Sequence, residues 1–383
     1  MRRLAPLGPV VVVALMLILI GNLMAATLHY ARLSDFARIG TRYGQHVGAR
    51  GLAVSELGYD GQFFYFLAVN PQIVAGCAQS MVACPLDVPP ERSQRIFYPL
   101  VARVVALGQP SLVPLALLLV DLVAVLVTVA LVGQLCVAAG ASRWLGAAAG
   151  LFAGEVFGVL GDLSDPFAAM WLVVAVWLAR KGRPLLSALA VAAALLTREQ
   201  LIFVLPLLAV PLLARRRWTT LGWCTLLALA PWLAWEVYLR ALYGVWPLTA
   251  SAGTAGLVLA PFGGLWSTFA QPAFWSVVVL VALPVVATAV IAVLRLTALA
   301  RTNWRAIPRD PVPLMALTYC VLLSLLSHYE WADPVSAGRL AIPAVVLGTL
   351  VVCRLPRVPR IAYAVLLASF AVVAAGVSVV RLL

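Results

Sequence analysis

Apolar runs of membrane-crossing length, parted by short arginine clusters, leave this chain few folds to choose from. A helix needs about 20 consecutive apolar residues to cross a hydrocarbon core roughly 30 Å thick. Unpaired backbone N–H and C=O groups are not tolerated there, so the only open solutions are helices and closed barrels. Runs at residues 9–26, 112–138, 144–160, 167–179, 218–238, 272–294, 312–326, 339–353 and 361–380 fit helices, and a pair of short apolar segments flanks Thr197-Arg198-Glu199-Gln200. They predict an all-α polytopic membrane bundle of about eleven transmembrane helices, within a range of about nine to twelve. Residues 1–383 form a single integral-membrane domain, with a long first outer loop over residues 29–110. In that loop, residues 30–50 read as a surface amphipathic helix and residues 96–107 as an interfacial or re-entrant one too short to cross.

Composition removes the soluble alternatives. The chain is 64% hydrophobic and 11% charged, against roughly 45–50% and about 25% in soluble domains. Its net charge of +13 does not point to nucleic acid, because the basic residues sit in short clusters between apolar runs. Such clusters set orientation by the positive-inside rule. Arg2 and Arg3 place the N-terminus in the cytoplasm, and the clusters at residues 180–183, 215–217, 295–309 and 354–360 share that side. The first apolar run reads as an uncleaved helix rather than a signal peptide, since no small-x-small site precedes the loop. Most carboxylates fall on the opposite set of loops: Asp35, Glu56, Asp60, Asp87, Glu91, Asp162, Asp165, Glu199, Glu330 and Asp333. Their segregation predicts a polar working face outside. Cys77 and Cys84 share the first loop, either as a disulfide or as two thiols; the other four cysteines read as packing residues.

Gly58-Tyr59-Asp60-Gly61-Gln62-Phe63-Phe64-Tyr65 is the most unusual stretch. Glycine permits a sharp turn or close approach, and the aromatics seat the segment at a membrane surface. An aspartate between glycines is also an ordinary turn residue. A carboxylate held at the edge of the hydrocarbon, however, is suited to general-base work. Gln62 has an amide of the kind that bonds a sugar hydroxyl. Arg92 reads as a headgroup anchor, whereas Arg95 and Arg103 precede or enter the apolar hairpin, where one of them is placed for a phosphate. Asp165 before Pro166 fits a helix cap, leaving Asp162 as a second acidic site residue or a metal contact. A charged Arg198-Glu199 pair between apolar segments must be neutralised or face a cavity; the functional reading puts Arg198 on a phosphate with Glu199 fixing its geometry. His328, Glu330 and Arg339 crowd the last outer loop, Arg339 being a second phosphate candidate.

These patches resemble the GT-C class of integral-membrane glycosyltransferases, and most closely a bacterial group that builds cell-surface glycopolymers. The resemblance rests on Gly58–Tyr65, Arg95-Ile96-Phe97-Tyr98-Pro99-Leu100, Thr197-Arg198-Glu199 and the Gly338–Pro343 patch. It implies a polyprenyl-phosphate-sugar donor, a glycan, lipid or protein acceptor, and Asp60 as catalytic base. Tyr59, Gln62, Arg95, Tyr98, Asp162, Arg198, Glu199, His328, Glu330 and Arg339 would bind substrate. It also implies a bacterial plasma-membrane location with the active face extracytoplasmic. Gln62 stands where a paired-acid signature has its second acid, so no metal ligand is indicated and the cofactor stays unknown. The rival readings are a transporter or flippase of lipid-linked sugars and a non-catalytic envelope-assembly subunit. A transporter would carry midplane charges and an internal repeat, and the sequence shows no repeat.

Overall fold

The structure, a computed structural model, describes residues 7–250 and 256–382. Arg2 and Arg3, which carry the N-terminal orientation signal, lie outside the described residues. Secondary structure is almost wholly helical. The helices that matter below are α1 (Gly8–Thr27), α2 (Gly61–Val69), α3 (Pro89–Gln94), α4 (Phe97–Val105), α5 (Val113–Ala138), α6 (Trp144–Gly150) and α7 (Ala153–Val159). They continue with α8 (Asp165–Arg180), α9 (Pro184–Thr197), α10 (Trp218–Tyr243), α11 (Leu283–Asn303), α12 (Val312–Ser324), α13 (Pro334–Val352) and α14 (Arg357–Leu382).

Among the described residues, five helical stretches are long and apolar enough to cross a bilayer: Gly8–Thr27, Pro110–Ala138, Phe274–Arg309, Pro334–Val352 and Arg357–Ala375. Three shorter apolar helices, Pro184–Thr197, Leu205–Ala214 and Val312–Ser324, accompany them. The chain is therefore a polytopic, all-α membrane protein. The remaining expected spans are short, broken or charged. Residues 144–160 split into α6 and α7 because Phe152 takes an extended backbone (φ −59°, ψ 139°), leaving two helices of seven residues. Residues 30–50 form short helical turns over Leu33–Ala37, Thr41–Gly44 and Gln45–Val47, not one surface helix.

Helix α13 is the axis of the fold. Of its apolar window, 94% is buried, against 17% for α1 and 22% for α14, which lie at the rim. α13 packs against α7, α8, α11 and α12, and Val345, Val346, Leu347 and Leu350 have no solvent exposure. The helix starts cleanly because Asp333 caps it, accepting from the Val335 and Ser336 amides at 2.8 and 2.9 Å. An N-cap carboxylate of this kind contributes about 1 kcal/mol and fixes where the helix begins. That start sets Arg339 between one and two turns into the helix.

The first loop is a compact layer over one end of the bundle. α2 contributes Phe63, Phe64 and Phe66 to a buried cluster with Tyr98, Leu117 and Phe167. Cys77 and Cys84 form a disulfide, which resolves the open choice between bridge and thiols. Structural disulfides belong to oxidising compartments.

Candidate active site

Asp60 stands immediately before α2, in the N-cap position, yet its side chain makes no capping bond. Its carboxylate is turned to two arginines instead. Oδ2 accepts from Arg339 Nη1 at 2.5 Å, and Oδ1 lies 3.2 Å from Arg92 Nη2. This differs from the ordinary turn aspartate, whose oxygens are taken by turn amides. Two glycines make the placement possible. Gly58 has φ +76°, and a Cβ there would lie 2.6 Å from the Arg38 carbonyl oxygen. A Cβ on Gly61 would lie 2.3 Å from the Gly161 carbonyl oxygen. The Asp60 loop is thus pressed directly onto the turn between α7 and α8.

From Asp60 a chain of ion pairs runs across the loop into the bundle. Arg92 also holds Asp87 with two bonds, of 2.7 and 2.9 Å. Arg95 bonds Glu91 at 3.2 Å and grips Glu199 through both Nε (3.1 Å) and Nη2 (2.8 Å). Arg198 turns away from its sequence neighbour and bonds Asp165 at 2.7 Å. Arg95, Arg198 and Arg339 are 5%, 3% and 8% exposed, and a buried guanidinium without such partners is strongly destabilising. Pairing is nevertheless incomplete. Arg339 Nε, Arg198 Nη1 and Asp165 Oδ2 are buried without a hydrogen-bond partner. Donors left free on arginines are the groups that a phosphate oxygen fits.

Electrostatics of the loop groups follow from this arrangement. Burial pushes the Asp60 carboxyl up, but Arg339, Arg92 and Arg95 outweigh it and hold the group well below the usual carboxylate range. Tyr59 is packed near two guanidinium groups, those of Arg38 and Arg339, and its hydroxyl lies 2.8 Å from Ser336 Oγ. Burial first, then the negative charges of Asp333 and Asp60, push the Tyr59 phenol up to about 12 against the pull of Arg339. Tyr59 is therefore a hydrogen-bonding group and not a base at neutral pH.

The structure gathers Tyr59, Asp60, Arg95, Arg198, Glu199 and Arg339 into one connected region, but it separates others. Gln62 is spent on the backbone: its Oε1 accepts from Gly40 N and its Nε2 donates to Leu57 O, both at 3.0 Å. Tyr98 has no exposure and donates to Asp121 Oδ2 at 2.6 Å. Both side chains are thus engaged inside the protein and not turned toward the Asp60 carboxylate. Arg198 and Glu199 are not each other's partner, as adjacent residues on an extended turn point apart. Asp162 is fully buried at a positive φ of 49° with neither carboxylate oxygen bonded. His328 is exposed and its ring lies against Tyr329, tilted by 34° with centroids 4.1 Å apart. Glu330 is half-buried within electrostatic reach of Arg339.

Two members differ from their sequence reading, and a third, Glu91, has no individual role in it. Arg92 bridges Asp60 and Asp87 and is not a headgroup anchor. Glu91 joins through the i,i+4 spacing to Arg95, a legible helix-face signal. Asp165 does not cap α8, since Ser164 occupies that position without a side-chain bond, and its charge is needed by Arg198. Among the described residues, no group of three or more His, Cys, Asp or Glu side chains is placed to hold a metal ion.

No protein-family model, curated protein or solved structure matches the chain.

Proposed function

We propose that this protein is a GT-C-type glycosyltransferase of the bacterial plasma membrane. It moves a sugar from a polyprenyl-phosphate donor to a hydroxyl of a cell-envelope acceptor at the extracytoplasmic face. One observation carries the reading: Asp60 is shared between a loop arginine, Arg92, and a core-helix arginine, Arg339, that still has a buried free donor. The disulfide at the same end supports an oxidising, outward orientation.

In the proposed reaction, Asp60 takes the proton of the acceptor hydroxyl as its oxygen bonds to the anomeric carbon. The sugar–phosphate C–O bond breaks and its electron pair leaves with the lipid phosphate. Arg339 and Arg198 stabilise the charge developing there. In the resting protein the arginine clamp makes Asp60 a weak base. A donor phosphate competes for Arg339, so donor binding itself releases Asp60 and restores its basicity. Base activation is thereby tied to the presence of donor, which limits idle hydrolysis.

A transporter of lipid-linked sugars is the second reading. It is favoured by Glu155 and Asp162, whose four carboxylate oxygens are buried without partners, as intramembrane acids on a transport path are. Purified protein in lipid nanodiscs, given a polyprenyl-phosphate sugar and an acceptor glycan, separates the two. Asp60→Asn is expected to lower transfer by about a hundredfold or more while leaving the protein monodisperse, and persistence means transfer near the wild-type rate. Transfer that persists in Asp60→Asn, or transbilayer movement of donor that ignores it, overturns the transferase reading.

A further inference from the structure

A second polar–apolar boundary lies at the opposite end of the bundle. Two helices measure the separation. Arg339 and Arg354 are fifteen residues apart along α13 and the two residues after it, as are Asp165 and Arg180 along α8, which is about 22 Å at 1.5 Å per residue. At this far end Asp310 joins Arg180 (3.3 Å) and Arg354. A cavity of about 490 Å³ opens beside this group.

The cavity has one apolar wall on α9, where Pro184, Ser187, Ala188, Val191 and Leu195 recur at helical spacing. The segment Ile202–Leu212 and the α10 residues Cys224 and Ala228 close the other sides. Its rim is cationic: Arg180, Arg215, Arg217 and Arg309 face one carboxylate, Asp310. Among the described residues, Arg215, Arg217 and Arg309 have no carboxylate in ion-pair range. The Asp60 end differs, since its arginines are already opposed by acids.

From these observations we infer that the cavity is a binding site for an anionic phospholipid of the cytoplasmic leaflet, with its phosphate on the Arg215–Arg217–Arg309 rim and one acyl chain between α9 and α10. Charge sets the polarity of the occupant, because the surplus of guanidinium groups lies only at the rim. Size sets its class. From Pro184 to Leu195 the slot runs about 16 Å along the helix, close to half of a hydrocarbon core of roughly 30 Å. Its volume is within the roughly 300–1,000 Å³ of ligand sites and suits a single acyl chain, which a long polyprenyl chain would overrun. The site stands independently of the transferase reading, since it shares no residue with the Asp60 network. Its inner wall nevertheless includes Leu195 and Ile202, which flank the Arg198–Glu199 turn. An occupied slot would therefore hold that turn in place.

Native mass spectrometry of delipidated full-length protein tests the inference. The probes are palmitoyl-oleoyl phosphatidylglycerol, phosphatidylcholine with the same chains, and a polyprenyl phosphate. One phosphatidylglycerol is expected to be retained, with at least tenfold preference over phosphatidylcholine. The double variant Arg215→Gln/Arg217→Gln, on an exposed turn, is expected to lower retention at least tenfold. Ala228→Leu, which fills the slot and leaves the rim intact, is expected to lower it as well. Equal retention of the two phospholipids, wild-type retention in either variant, or displacement of phosphatidylglycerol by equimolar polyprenyl phosphate would each overturn it.

Discussion

The two ends of the helical core use arginine in opposite ways. At the Asp60 end, Arg95, Arg198 and Arg339 are buried, and each is met by a carboxylate from a distant part of the chain. At the far end, Arg215, Arg217 and Arg309 are exposed without such partners. The difference follows from solvation. An exposed guanidinium keeps its water and needs no partner, so it can orient a helix or wait for a mobile anion. A buried one is destabilising by several kcal/mol unless its counter-charge is built in. Exposed cations without carboxylate partners are thus separated in space from buried, paired ones.

The comparison is broken most severely at Asp60. Asp60→Asn is expected to lower sugar transfer by about 10²–10⁴-fold, the span of a lost general base, read as single-turnover transfer. It also leaves Arg92 and Arg339 facing each other without a shared anion. A loss of stability of about 3 kcal/mol is therefore expected in denaturant titration, at the low end for a broken buried pair because Asp60 is 15% exposed.

Gly61→Ala tests placement without touching charge. Its new Cβ would meet the backbone oxygen of Gly161, so α2 must shift. A misplacement of about 1 Å is expected to reduce transfer by roughly 10²-fold while donor binding survives. Transfer at the wild-type rate would show that the loop is not pinned there.

A pH profile sharpens the contrast between free and donor-bound protein. In the free protein the Asp60 carboxyl is held below its ordinary 3.8. Its stabilisation is therefore fully present above that ordinary value and fades as pH falls toward the depressed folded one. kcat/KM, which reports the free protein, is expected to show no acid limb from Asp60 above about pH 4. kcat, which reports the donor complex, is expected to fall as pH drops through about 4–5, because protonation removes the base. A limb at that position in kcat/KM as well would mean that the clamp is absent before donor binds.

Smaller effects are expected from the scaffold. Cys77→Ser opens a short loop and is expected to reduce stability by about 2–3 kcal/mol, read as a lower melting temperature matched by reducing agent on the wild type. Arg180→Gln, at the exposed end, removes one arm of a pair open to water and is expected to change stability by no more than about 1 kcal/mol. A larger loss there would place the Arg180–Asp310 pair in the same class as the buried network.

Much of the fold was legible because lipid is an unforgiving solvent. The long apolar runs located α1 and α5 closely, since a span must be long and mostly apolar, whereas α13 and α14 begin earlier than their apolar runs, at Pro334 and Arg357. The break at Phe152 was not legible: an apolar run reads the same whether its backbone is continuous or interrupted. At the site, Asp60, Arg95 and Arg339 stood out by position against an apolar background. Arg92 did not, because a loop arginine next to acids resembles a solvated anchor until its neighbours are known. Gln62 and Tyr98 looked like ligands for the opposite reason. A polar group reads as available in sequence, and only packing shows it to be already bonded.

By itself the sequence determined that the chain is an all-helical membrane protein and that Asp60 lies in an unusual glycine-flanked setting. Those properties follow from hydropathy and local backbone freedom, which are written in neighbouring residues. Tertiary structure alone decided which arginine meets which carboxylate: Arg339 with Asp60 across 279 positions, Arg95 with Glu199 across 104, Arg198 with Asp165 across 33. A buried charge takes the counter-charge that packing brings within about 3 Å, and separation along the chain places no limit on that choice.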